Sequence, residues 1–330
     1  MLIPRIAGQN NRRRITMKKL FALLLALAVL LPCAGALVPA GAKADSMYII
    51  PDSNTRALTW DELWNGYQYD TLLYAFNEIY ARHGYKFETG SRCYNWFTRM
   101  PWYKPNADEN SQNHHTSYSQ CSKIENDNVD LIKAVRREMR AQKWYNPNGK
   151  GMPTPPAEVV NRPRGFDYVD LQSNQKYAVY TAPSTAAYRA NNGKATVSTN
   201  GPVYALGQDQ GWMLMLYEAN QAGQYRVGYI EISKIKGKKP ALEILSWDRS
   251  SVEVISSTAL TDDPAQTGNA LMQLPAGTRV TYLTTMYNSG AWDYIETTFN
   301  GQAIRGFVPS GTLSITGEDI TETDAGLGDG

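Results

Sequence analysis

Hydrophobic periodicity changes kind once along this 330-residue chain, and that change constrains its fold more than any single motif. Between about residues 58 and 146, apolar side chains recur at helical spacing. From about 166 to 314 the pattern becomes short β-branched and aromatic runs separated by Gly, Asn and Pro turns. Between the two, residues 149–165 hold Pro153, Pro155, Pro156 and Pro163 and no periodic apolar run, the composition of a stiff linker. The expected fold class is therefore multi-domain, α plus all-β. The boundaries read as a signal peptide over 1–44, an N-terminal arm over 45–57 and a helical domain over 58–146. A Pro/Gly-rich linker over 147–165 comes next, then β modules over 166–238 and 250–315 and an acidic tail over 316–330.

The leader reading rests on Arg12, Arg13, Arg14, Lys18 and Lys19 ahead of a twelve-residue apolar run at 20–31, with small residues at Ala42 and Ala44 for cleavage. Twelve apolar residues are too few to cross a bilayer, so no membrane span is expected in the mature chain. Pro32 before Cys33 argues against a lipid-modified terminus. The leader holds seven of the 33 basic residues and none of the 31 acidic ones. The mature chain is therefore acidic, with a net charge of −5, and nucleic-acid binding loses its electrostatic support. Cys93 and Cys121 then remain as a pair in an exported chain. They are expected to form a disulfide, worth roughly 3–4 kcal/mol in the chain-entropy account.

Within the helical domain, Thr59 and Glu62 have the spacing of a capping box. A central helix is expected over 71–83, with Asp70 as its cap and Gly84 as its stop. Shorter helical pieces are expected over 91–100, ending before Pro101, and over 128–143, where Leu131, Ala134, Val135 and Met139 form one stripe. Residues 106–123 are polar and read as a surface loop. At the end of the central helix, Asn77-Glu78-Ile79 leads into Tyr80-Ala81-Arg82-His83-Gly84, and Trp102-Tyr103-Lys104-Pro105 lies shortly after. This constellation resembles the YARHG domain, over roughly residues 58–145. The resemblance implies an extracellular setting beside other secreted or surface modules and carries no molecular function with it.

The β region repeats itself at offsets near 80 residues. Gly211-Trp212-Met213-Leu214-Met215-Leu216-Tyr217 lines up with Gly290-Ala291-Trp292-Asp293-Tyr294-Ile295-Glu296. Gly228-Tyr229-Ile230 lines up with Gly306-Phe307-Val308. The layout resembles tandem bacterial SH3-like domains, which implies two small β-barrels. It also implies recognition of peptidoglycan peptides, or another short peptide, at the cell envelope. Tyr180, Tyr217 and Tyr229 would be groove residues of the first barrel, and Trp292, Tyr294 and Phe307 those of the second. Tyr180, Tyr217 and Tyr294 are expected to be exposed; Trp212 and Trp292 are expected to fill the cores. Glu218, Asp262 and Asp263 offer carboxylates to a ligand amine.

Residues of catalytic type are present without a complete catalytic pattern. Glu78 and Arg82 stand four apart, in the orientation of a helical ion pair, and His83 lies where a ring N–H meets helix-end carbonyls. These residues, with Tyr80, Gly84, Trp102 and Tyr103, are expected to lock the helix end against the following loop. A Cys93 nucleophile beside His83 conflicts with a disulfide. His114 and His115 with Cys121 lack the spacing of a zinc site. Glu125 to Asp130 lack the Gly and distal Glu of a calcium loop. No P-loop, nucleophile elbow or dinucleotide fingerprint occurs. The expectation is an exported, non-enzymatic binding protein with no metal and no cofactor. The competing expectation is a wall or peptide hydrolase in which Glu78 and His83 supply acid and base.

Overall fold

The computed structural model describes residues 47–106, 119–153, 165–219, 224–263, 270–287 and 290–315. The leader, His114 and His115, most of the proline-rich linker and the acidic tail lie outside the described residues. Ser46–Gly330 is one compact unit.

Among the described residues, four helices open it. α1 (Trp60–Gly66) begins at the expected Thr59, whose hydroxyl accepts the Glu62 N–H at 3.3 Å, but the expected capping box is only half formed, because the Glu62 carboxylate accepts from Arg56 at 2.8 Å. α2 (Tyr69–Arg82) is buried along nearly its whole length. Its cap differs from expectation. Gln68 holds the cap position without a side-chain hydrogen bond, and Asp70 sits inside the first turn, where burial pushes its carboxyl upward. α3 (Arg92–Phe97) is capped by Ser91, whose hydroxyl accepts the Tyr94 N–H. α4 (Lys123–Ala141) starts five residues before the expected position, because Ser122 and Glu125 form a reciprocal capping box. Leu72, Phe76 and Ile79 of α2 share one core with Trp96 and Phe97 of α3 and with Val129, Ile132 and Val135 of α4.

Among the described residues twelve strands come after them, numbered in chain order. β1 (Asp167–Tyr168), β4 (Val203–Asp209), β5 (Trp212–Glu218) and β6 (Tyr225–Glu231) form one antiparallel sheet in that order. β7 (Ser250–Glu253), β10 (Arg279–Tyr287), β11 (Ala291–Phe299) and β12 (Gln302–Pro309) form the second in the same pattern. Each has a two-stranded ribbon beside it, β2 (Lys176–Ala178) with β3 (Thr196–Ser198) and β8 (Thr258–Leu260) with β9 (Met272–Leu274). The tandem repeat is thus carried into the topology.

Three details repeat as well. β4 has a bulge at Leu206 and β10 one at Leu283. Single bridges join Tyr180 to Tyr229 and Thr261 to Phe307, tying each ribbon to its sheet. Gly228 and Gly306 lie under those crossings, where a Cβ would come within 2.5 Å of Val179 Cγ1 and of the Thr261 carbonyl oxygen respectively. Only a glycine leaves room there. The closed barrels implied by the SH3-like resemblance do not form among the described residues. Each repeat is an open sheet joined to its ribbon through one bridge.

The repeats are not independent beads. Leu206, Leu214, Leu216 and Tyr229 of the first repeat and Leu283, Met286, Tyr294 and Phe307 of the second belong to one shared core. Each repeat has a further core on its other face, around Met213 and Met215 in the first and around Ile295 and Ile304 in the second. The helical part is fused to the strands in turn. Asn95 Nδ2 donates to Thr284 Oγ1 and to the Thr285 carbonyl, each at 3.0 Å. Arg99 donates to the Tyr287 carbonyl at 2.9 Å, and Arg92 meets Asp248 at 3.0 Å. The Trp96 ring packs edge-on against Tyr287.

Candidate functional site

The end of α2 is built by its own backbone. Gly84, at φ +81°, turns the chain left-handed, and the Gly84 and Tyr85 N–H groups return to the Ala81 and Tyr80 carbonyls. A Cβ at Gly84 would crowd the Lys104 carbonyl oxygen at 3.2 Å, so the residue also admits the segment that carries Trp102 and Tyr103. Tyr103 donates from its hydroxyl to the Tyr85 carbonyl, and Tyr80 is buried beside Tyr85.

Around this corner Glu78 and Arg82 do fasten, but they hold the N-terminal arm and not the following loop that the sequence suggests. Glu78 is wholly buried and accepts the Ile49 N–H at 2.6 Å and the Ile50 N–H at 3.3 Å. Arg82 donates to Glu78 at 2.6 Å and to the Ile50 carbonyl at 3.0 Å, and its guanidinium lies 4.5 Å from the centre of the Tyr48 ring. Tyr48 stacks in turn on Trp102. Burial pushes the Glu78 carboxyl above its ordinary range, against the pull of Arg82 and the two N–H groups. Glu78 therefore faces the arm. It does not pair with His83, and the acid–base pair of the hydrolase expectation is not assembled.

His83 meets a different carboxylate. Its Nε2 lies 2.9 Å from Glu125 Oε1 at the start of α4. Burial raises the Glu125 carboxyl, but the Ser122 backbone and the imidazole outweigh it and hold the group below its usual range. Glu125 is thus a carboxylate, and the imidazole is the donor. Cys121 stands beside this pair, with its sulfur, a ring nitrogen of His83 and a Glu125 oxygen all within 4.8 Å of one another. The disulfide expected between Cys93 and Cys121 is not formed. Cys93 is buried in the helical core, whereas Cys121 is half-buried at the α2–α4 corner. Burial and the Glu125 charge push the Cys121 thiol up to about 12, which leaves it a poor nucleophile.

A second feature lies at the seam between the helical part and the first repeat. A cleft of about 680 Å³ is lined by Lys86, Phe87, Glu88 and Thr89 on one side and by residues 242–246 with Gln208 on the other. The Thr89 hydroxyl donates to Glu243 across it, and Lys86 reaches the same carboxylate at 3.4 Å. Ile244 is 77% exposed at its rim.

The aromatic groove expectation needs correction. Tyr217, Tyr229, Tyr294 and Phe307 are all buried, the last three in the core shared by the two repeats. Tyr229, Tyr294 and Phe307, expected to receive a ligand, instead receive the neighbouring repeat, and Tyr217 fills the first repeat's other core. Trp212 is buried as expected, and its ring packs edge-on against Tyr180. Tyr180 and Trp292 are half-buried at the margin of the shared core. Asp262, offered as a ligand carboxylate, is paired with Arg226 at 2.8 Å, and Asp263 is buried beside it.

Glu125 and Cys121 are the partners that sequence reasoning failed to give His83. The signal was present: Ser122-Lys123-Ile124-Glu125 is a capping-box string, and it places Glu125 in a first helical turn.

Residues 46–137 carry a YARHG domain. The domain points to an extracellular protein, and no helix among the described residues is long and apolar enough to cross a membrane. No curated protein matches the chain. Two solved structures are similar to it, NlpC2 and NlpC1 from Trichomonas vaginalis, at 12% and 16% identity and a TM-score of 0.19 each. Each likeness takes in 46% of this chain, and the chain spans about half the length of those structures, 52% and 49%.

Proposed function

We propose that this is a non-catalytic binding protein of the cell envelope whose ligand, a short peptide of the peptidoglycan type, lies in the cleft between residues 86–89 and 242–246. The observation that carries this reading is the cleft itself. It sits where two parts of the molecule meet, a common place for a ligand, and sets Lys86, Glu88 and Glu243 around Phe87, Ile244 and Leu245. An extended peptide finds Glu88 for its amine, the Lys86–Glu243 pair to exchange with its carboxylate, and apolar contact between them. The extracellular setting of the YARHG domain supplies the same context. The SH3-like resemblance of the repeats implies peptide recognition of this kind, though by another surface.

Calorimetric titration of the mature chain with soluble peptidoglycan peptides tests the reading. Ile244 is exposed, so Ile244→Asp leaves the fold intact; binding is expected to weaken at least about ten-fold, the scale of lost apolar contact at a ligand. Saturable binding that Ile244→Asp leaves unchanged, or no binding at all, overturns it.

A further inference from the structure

We propose that His83, Cys121 and Glu125 form a binding site for one zinc-class divalent cation. This reading goes beyond the cleft and does not depend on it. It also departs from the expectation of no metal, which weighed Cys121 only with His114 and His115.

The three donors already lie within 4.8 Å of one another. Tetrahedral zinc, with bonds of about 2.0–2.3 Å, needs donors about 3.3–3.5 Å apart. The His83 to Glu125 distance of 2.9 Å must open slightly and the sulfur must approach, movements of an ångström or so. One sulfur, one imidazole nitrogen and one carboxylate oxygen form a donor set suited to zinc and unsuited to calcium or magnesium, which take oxygen.

The donors are also held in place. His83 caps α2 against the left-handed turn at Gly84. Glu125 spends its second oxygen on the Ser122 N–H at 2.8 Å, which leaves Oε1 for one bond and fixes its direction. Cys121 directly precedes the α4 cap at Ser122. The start of a helix repels a bare cation, but a thiolate and a carboxylate around a doubly charged ion give a neutral complex there. The His83 side chain is 22% exposed, giving an ion a route in and a water the fourth position.

On binding, the Cys121 thiol gives its proton to solvent and the thiolate bonds the ion. The His83 ring bonds the ion through one unprotonated nitrogen and carries its proton on the other; where Nε2 is the ligand, the proton it shares with Glu125 moves to Nδ1. One proton is released per ion.

The test uses the mature chain, reduced and stripped of metal, titrated with Co²⁺ as a spectroscopic probe and with Zn²⁺ by calorimetry in two buffers of different ionisation enthalpy. The expected result is one ion per chain, a near-ultraviolet thiolate-to-cobalt band, and release of about one proton. Cys121→Ser should lose the band, and Glu125→Gln and His83→Gln should weaken Zn²⁺ binding at least about ten-fold. The wild-type band and proton count stand without any variant, should one fail to fold. A wild-type titration with no band, a band that survives Cys121→Ser, or binding without proton release overturns the proposal.

Discussion

At one structural position the first repeat places Met213 and the second Asp293: each lies on the strand after the bulge, opposite Gln208 and Thr285 respectively. Both are buried. The difference continues along the neighbouring edge. In the first repeat a strap of its own chain covers it: the Gln208 N–H donates to the Glu243 carbonyl and the Leu245 N–H to the Gln208 carbonyl, each at 2.8 Å. In the second repeat the matching edge is covered by the helical part, with Asn95 donating to the Thr285 carbonyl and Arg99 to the Tyr287 carbonyl. A sheet edge left bare is a liability, and the two copies have solved it with different material. The first is self-contained at this edge. The second depends on the helices, and Asp293, held by Thr285 and Ser310 hydroxyls, belongs to that dependent side.

The largest expected effect concerns what joins the repeats. Arg305 of β12 is buried and donates to Asp209 of β4 and to the Tyr229 hydroxyl, each at 2.7 Å, and to Glu296 at 2.6 Å. Arg305→Met would strand the Asp209 charge in the shared core. A loss of about 3–5 kcal/mol is expected in urea unfolding, with both repeats melting in one transition. Two separate transitions would show that the repeats are not thermodynamically fused.

The paired glycines sharpen the comparison further. At Gly306 a new Cβ meets the Thr261 carbonyl oxygen at 2.5 Å; at Gly228 the nearest atom, also at 2.5 Å, is a Val179 methyl, and backbone comes only at 3.0 Å. A side chain yields more readily than backbone. Gly306→Ala should cost about 2–3 kcal/mol and Gly228→Ala about 1 kcal/mol less, on the scale of overpacked cores. Equal losses would mean that the two crossings are equally rigid.

The smallest effect is a pH dependence confined to the second repeat. Burial pushes the Asp293 carboxyl up to about 6, despite the Ser310 and Thr285 hydroxyls. The folded protein then holds this proton more tightly than the unfolded chain. The resulting stabilisation is full below the ordinary carboxylate range, near pH 4, and is lost as pH rises through about 6. Asp293→Asn should flatten that part of the stability profile, and Met213→Leu in the first repeat should leave it untouched. A slope that persists in Asp293→Asn assigns the proton to another group.

Much of this architecture was legible in the chain. The stop at Gly84, the Thr59 cap and the near-80-residue offset between Gly228-Tyr229-Ile230 and Gly306-Phe307-Val308 each have a local cause, and local causes leave local signals. What was not legible is what covers each exposed face. Alternating aromatics say that Tyr229 and Phe307 share a side of their sheets. They do not say whether a ligand or a second sheet lies against it. Arg305 between Ile304 and Gly306 reads as a surface charge until Asp209, 96 positions away, is placed beside it. Asn95 and Arg99 look like the wet side of a short helix for the same reason. At the candidate metal site, Cys121 was matched to the wrong partner because cysteine counting favours another cysteine, whereas folding set it next to His83.

The pinning of Ile49 and Ile50 by Glu78 has a consequence for maturation. An exported chain trimmed a few residues too far would lose two donors to an enclosed carboxylate and the ring that stacks on Arg82. Glu78 and Arg82 would then work as a gauge of correct processing, since only a product beginning upstream of Tyr48 fills their socket. Over-trimmed molecules would leave Glu78 held by Arg82 alone inside the helical core and be the first cleared by extracellular proteases.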